Sequence, residues 1–135
     1  MRVINSNVEK NERTKNMKII EKLEQAREQN ADLKEWGINN KFYRAYQKTL
    51  KTNNETIDFD DVLWDHDVEE IIKHCKEFEI KYITISSNYS GLIQTLGLFV
   101  DKGCKIRELK KIKSQYTDLN SEEHEIVNAI EIEIY

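Results

Sequence analysis

Seven carboxylates fall within 13 residues in the run DFDDVLWDHDVEE, namely Asp58, Asp60, Asp61, Asp65, Asp67, Glu69 and Glu70, with Trp64 and His66 among them. Spaced carboxylates imitate nucleic-acid phosphates. Together with Trp64 they make a candidate contact set for a protein partner that carries a basic cleft. The competing reading is a solvated helix start, whose acidic first turn suits the positive end of the helix dipole. Asp58, Asp60, Asp61 and Asp65 could also offer oxygens to Mg²⁺ or Ca²⁺. The run lacks the glycine at the sixth position and the glutamate at the twelfth that an EF-hand loop uses. His66, His74 and Cys75 have no Cys or His partners at zinc spacing, so the sequence predicts neither a metal nor a cofactor.

A second candidate is the polar turn Ser86, Ser87, Asn88, Tyr89, Ser90 and Gly91. It follows an expected strand and feeds an expected helix, the place where α/β sheets bind ligands and where free N–H groups favour an anion. With one glycine and no GK[ST], it carries no nucleotide-binding signature. Hydroxyls that cap a helix and close a turn account for the same residues.

The sequence points away from an enzyme. It contains no GxSxG elbow and no HExxH, and His66, His74 and His124 have no evident nucleophile beside them. Ser87 and Cys104 stay open as nucleophiles. Cys75 and Cys104 do not make a disulfide framework and read as packed thiols in a reducing compartment. The basic stretch Lys102 to Lys113 is interrupted by Glu108 and faces an acidic partner strand. A sequence pI near 5.5 also argues against direct nucleic-acid binding.

The elements that must position these groups follow from periodicity. Residues 1–16 are polar with scattered apolar positions and read as a flexible extension. From Met17, the residues Ile19, Ile20, Leu23 and Ala26 predict an amphipathic helix ending near Asn30. Phe42, Tyr43, Tyr46 and Leu50 predict a second helix over about 39–51, with an aromatic stripe facing the core. The run TNNETID reads as a loop. A third helix, capped by Asp65 or Asp67, carries Val68, Ile71, Ile72, Cys75 and Phe78 at helical spacing. KYITISS alternates as a short strand. Leu92, Ile93, Leu96, Phe99 and Val100 then define a helix with Ser90 as N-cap and Gly103 as its terminator.

Two strands close the chain, CKIRELKKIKSQY and HEIVNAIEIEIY, joined by the turn TDLNSEE. Ile126, Ile130, Ile132 and Ile134 alternate with Glu125, Glu131 and Glu133, which predicts one buried and one wet face. Lys105, Arg107, Lys111 and Lys113 would meet those glutamates across the wet face.

The predicted fold is α+β, one domain over residues 17–135. Its small mixed sheet has three strands, the first two (at Tyr82 and at Lys105) parallel and the last two a C-terminal hairpin, with about four helices mainly on one face. At 135 residues the chain can bury one core. No stretch is long and apolar enough to span a membrane, and the first residues lack a secretory signal, so a cytoplasmic protein is expected. Net charge is −4, in blocks of +4 (1–57), −7 (58–80), +5 (81–117) and −6 (118–135) that can attract one another within one fold.

The run from Phe59 to Ile106 resembles a family of small uncharacterised proteins carried by phages and conjugative elements of Firmicutes. The resemblance rests on W-x-x-D-V-E-E-I at Trp64 to Ile71, I-S-S-x-x-S-G-L-I at Ile85 to Ile93, and the pair Gly103 and Cys104. It covers about half the chain and implies no catalytic residue. It does imply genomic company in which small accessory proteins block host defence, anti-CRISPR proteins among them. The expectation is a non-enzymatic protein-binding factor whose acidic surface engages a basic cleft, a Cas nuclease being one such target. The alternatives are a small-ligand or enzymatic domain using Ser86 to Gly91, and a homodimer joined through the free edge of the last strand.

Overall fold

The computed structural model describes residues 37–117 and 123–135. The expected extension 1–16, the helix from Met17 to Asn30 and residues 118–122 of the hairpin turn lie outside the described residues.

Helix α1 (Asn40–Thr52) starts where Asn39 Oδ1 accepts the Phe42 N–H at 3.0 Å, and it ends at Asn53 in the left-handed region. Phe42 and Ala45 are buried, and Tyr43 and Tyr46 pack partly against the core. Leu50, expected inside, is exposed, because the buried arc runs through Phe42, Ala45 and Thr52 and Leu50 falls outside it. Strand β1 (Ile57–Phe59) occupies what reads in sequence as loop. Three residues between Asn/Thr-rich and Asp-rich flanks are too few to show a period. They become a strand because Ile57 and Phe59 both reach the core.

Helix α2 (Asp65–Glu77) buries the expected stripe of Val68, Ile71, Ile72 and Cys75. Its N-cap is Trp64 rather than an aspartate; Asp67, in the first turn, reaches back so that Oδ2 accepts the Trp64 N–H at 2.9 Å. Strand β2 (Tyr82–Ile85) follows. Helix α3 (Leu92–Asp101) begins at Gly91, and Ser90 does not cap it. Phe99 and Thr95 face inward, whereas Ile93 and Val100 are exposed. Gly103, at φ +93, reverses the chain so that the Cys104 N–H reaches the Phe99 carbonyl at 3.0 Å. Strands β3 (Lys105–Thr117) and β4 (His124–Glu133) form the hairpin.

Among the described residues the sheet has four strands in the order β1-β2-β4-β3, with β1 parallel to β2 and the other neighbours antiparallel. The expected three-strand sheet is therefore corrected twice. A strand precedes those foreseen, and the strand at Tyr82 does not pair with that at Lys105, because β4 inserts between them. The C-terminal half of β4, Ile130 to Glu133, is paired on both sides, so it offers no free edge for a dimer.

Two apolar rows cross the whole sheet in register: Ile57, Ile83, Ile132 and Ile106, then Phe59, Ile85, Ile130 and Leu109. Helices α1, α2 and α3 all bury side chains in one cluster with these rows. Phe42, Phe59 and Phe99 are fully buried there, each stabilising by roughly 1.5–3 kcal/mol.

The other face carries a polar row, Asp58, Thr84 and Glu131. Glu131 is buried and its Oε2 lies 2.5 Å from Lys110 Nζ. The alternation predicted for β4 is thus broken: Ala129 and Glu131 are buried and Ile126 is exposed. A register shift between Ile106 and Leu109 adds one residue to β3 and exchanges its faces. Lys110, not Lys111, therefore meets Glu131, while Arg107 Nη1 lies 3.8 Å from Glu133. At its far end β3 reaches back to the start of the sheet. Asn54 accepts the Lys113 N–H at 3.0 Å and donates to the Lys113 carbonyl at 2.8 Å.

Candidate functional site

Parallel pairing of β1 with β2 brings the two candidate segments side by side. Asp58 follows Ile57 in β1, and its register partner is Thr84 in β2. Thr84 Oγ1 donates to Asp58 Oδ1 at 2.8 Å, and Ser86 Oγ to Asp58 Oδ2 at 2.6 Å. Burial raises the Asp58 pKa above 3.8, and these two hydrogen bonds hold it back. The cleft outside, lined by Lys48, Asp58, Asp60, Ser86 and Lys113 among others, leaves about 20 Å³. That is the room of one water, too small for a metabolite.

The Ser87 and Tyr89 hydroxyls also bond to the acidic segment. Ser87 Oγ donates to the Asp61 carbonyl at 3.0 Å. Tyr89 OH donates to Thr95 Oγ1 at 2.7 Å and accepts the Leu63 N–H at 3.3 Å. Asn88 and Ser90 are exposed, and Gly91 starts α3. The turn read in sequence as a ligand cradle is, for Ser86, Ser87 and Tyr89, a set of ties that hold residues 58–63 in place.

The acidic segment is neutralised from α1. Lys41, Arg44 and Lys48 recur at helical spacing, so they project from one face. Lys48 Nζ lies 2.5 Å from Asp60 Oδ1, Arg44 Nη1 4.0 Å from Asp61 Oδ2, and Lys41 Nζ 2.9 Å from Asp67 Oδ2. Lys41 also donates to the Val62 carbonyl, and Gln115 Nε2 to Asp60 Oδ2 at 3.1 Å. Asn39 Nδ2 donates to Asp67 Oδ1 at 3.0 Å and to Glu70 Oε2 at 2.7 Å, while its backbone N–H reaches His74 Nε2 at 3.0 Å. Burial works against the Asp67 charge, but the bonds from Asn39, the Trp64 N–H and Lys41 outweigh it and lower its pKa below 3.8. Glu69 pairs with Lys102 at 3.2 Å. Asp65 is exposed and has no ion pair among the described residues.

Sequence reasoning missed Asn39 and the cation stripe. The signal was present in the 41, 44, 48 spacing, but it acquires meaning only when α1 lies alongside residues 60–67.

Trp64 remains outside this network. The residue is 62% exposed and Val62 40%, and the Lys41 ammonium stands 5.9 Å from the Trp64 ring centre. Its backbone is fixed: the N–H is held by Asp67, and the carbonyl accepts the Val68 N–H at 3.0 Å. Asp65, His66, Glu69 and Glu70 in the first two turns of that helix are also exposed, with Glu69 paired to Lys102 and Glu70 to Asn39. The result is a large apolar side chain on a pinned backbone with an acidic rim.

The thiols are buried. Burial, and then the nearby Cys104, push Cys75 up to about 12, and burial raises Cys104 as well. Both are protonated at neutral pH, the unreactive form. Among the described residues no three His, Cys, Asp or Glu side chains are grouped to hold a metal ion, and no helix is long and apolar enough to cross a membrane.

Residues 41–134 match a family described as a domain of unknown function, DUF7698. The chain belongs to the DUF7698 family. The match spans both the acidic segment and the Ser86–Gly91 turn, and α1 with its cation stripe, so the DUF7698 region includes the whole arrangement except Asn39. No curated protein and no solved structure matches the chain.

Proposed function

We propose that this DUF7698 chain is a non-enzymatic protein-binding accessory factor that acts through the surface centred on Trp64. The observation that carries the reading is the exposed Trp64 ring on a backbone immobilised by Asp67 and Val68. Tryptophan is enriched among the few residues that dominate binding energy, and a pre-ordered anchor loses little entropy on association. The internal ion pairs narrow the contact set. Asp58 and Asp67 serve the fold, Asp60 is held by Lys48 and Gln115, Glu69 and Glu70 are exposed but engaged by Lys102 and Asn39, and Trp64 and Asp65 face outward.

An acidic rim fits a basic cleft on the partner, and the genomic company implied by the sequence resemblance makes the partner a host-defence protein, with a nucleic-acid-binding nuclease of the Cas type as its clearest member. Binding there would exclude nucleic acid stoichiometrically. The small-ligand alternative loses support because the Ser86, Ser87 and Tyr89 hydroxyls are engaged internally and the adjacent cleft admits one water.

The test is quantitative capture of partners from cell lysate by tagged protein, read by mass spectrometry. Trp64→Ala should lower retention of a specific partner at least 30-fold, matching about 2 kcal/mol. Asp65→Lys should slow association and weaken its salt dependence. A partner retained equally by both variants would refute the reading.

A further inference from the structure

The two apolar rows of the sheet do not end in the core. They run from buried Ile57 and Phe59 through β2 and β4 to Ile106 and Leu109 on β3, which are 43% and 68% exposed. β3 is the outer strand, hydrogen-bonded to β4 alone among the described strands. Its outward backbone groups can be assigned. Asn54 holds both the N–H and the carbonyl of Lys113, so this residue's polar groups point away from β4. Residues alternate in direction along an antiparallel ladder, and the register is continuous from Leu109 to Lys113. The N–H and C=O of Leu109 and Lys111 therefore also point outward.

This open stretch is bounded at one end by the register shift before Leu109 and at the other by the Asn54 amide, which acts as a one-residue strand mimic. Between them lie two donors and two acceptors, with Leu109 and Lys111 side by side on the helix-facing side of the sheet. Lys111 and Lys113 are exposed and have no ion pair among the described residues, whereas Lys110 is held by Glu131.

We propose that the β3 edge at Leu109–Lys111 receives an extended acidic segment of a partner protein as a fifth strand. Four backbone hydrogen bonds would fix it. An apolar side chain opposite Leu109 continues the row that begins at Phe59, and a carboxylate two residues away meets Lys111. The occupant is not a second copy: antiparallel self-pairing about Leu109 sets Arg107 against Lys111 and Lys105 against Lys113, like charge against like. This surface is separate from the Trp64 patch and stands whether or not that patch binds.

The probe is an acetylated, amidated heptapeptide alternating Glu and Val, added to the full chain and followed by amide hydrogen exchange and NMR shifts. At saturation the Leu109 and Lys111 amides should exchange at least tenfold more slowly, with no such change in β1. The same peptide with Lys replacing Glu should bind at least tenfold more weakly. Leu109→Pro removes one outward N–H without removing a bond to β4 and should abolish the protection. Should that variant fail to fold, Lys111→Glu preserves the strand and should reverse the preference between the two peptides. Equal binding of both peptides, or protection confined to other residues, overturns the proposal. So does protection of Leu109 and Lys111 that rises with protein concentration in the absence of peptide, which would place a second copy on the edge.

Discussion

Asp58 and Asp67 belong to one acidic run, yet the fold treats them in opposite ways. Asp58 sits on the polar face of the sheet and receives hydroxyl donors only, so burial dominates and its carboxyl resists ionisation. Asp67 is also buried, but it receives an amide, a backbone N–H and an ammonium, and its charge is stabilised. Local charge density therefore says little about which carboxylates are available to a partner. The donors each one meets across the fold decide that, and among the described residues they leave Asp65, next to Trp64, without an ion pair.

The largest effect should come from breaking the Asp67 end. Asp67→Asn leaves Lys41 without its buried counter-charge and weakens the bond to the Trp64 N–H, at a cost of roughly 3 kcal/mol in urea unfolding at neutral pH. The same change at Asp58 should be close to neutral or stabilising at pH 7, because it removes a charge whose burial is unfavourable. The signs with pH are also opposite. The Asp67 contribution is present above 3.8 and is lost as pH falls through its lowered folded value. That of Asp58 is present at acid pH and is lost as pH rises from 3.8 through its raised folded value. Carboxyl NMR titration of the two residues, with stability followed from pH 2 to 7, checks both.

Thr84→Val sharpens the contrast by removing one donor from Asp58 at nearly constant shape. It should cost about 1–3 kcal/mol at neutral pH and move the Asp58 titration higher, leaving Asp67 unchanged. Asn54→Ala should cost about 1 kcal/mol and speed amide exchange at Lys113 selectively, since the clamp on the far end of β3 is lost.

The legible parts of this molecule were those whose signal is local. The stripe of Val68, Ile71, Ile72 and Cys75 defines α2 without knowledge of its neighbours, and Gly103 marks the end of α3 because few other residues accept its positive φ. The strand Ile57–Phe59 was not legible, for three residues carry no period and their pairing with β2 is set by tertiary contact. Nor was the insertion of β4 between β2 and β3, since a strand's alternation records its faces and not its neighbours. The register shift after Ile106 exchanged the basic residues of β3, so Lys110 took the place expected of Lys111.

For the site, Trp64 and the outward carboxylates lay within the segment singled out from sequence. The internal claims of Lys41, Lys48 and Asn39 on that segment did not show, because they come from a helix some 20 residues earlier.

Trp64→Ala should have the smallest effect on stability, within about 0.5 kcal/mol apart from its contact with Lys41. That makes it the direct test of the central claim. Tagged wild-type protein, Trp64→Ala and Ser87→Ala, matched for folded fraction by circular dichroism, are compared for capture of partners from the same lysate. The account predicts a specific partner held by the wild type and by Ser87→Ala and lost at least 30-fold by Trp64→Ala. Retention by Trp64→Ala, with loss in Ser87→Ala, would contradict it and place binding at the Ser86–Gly91 turn.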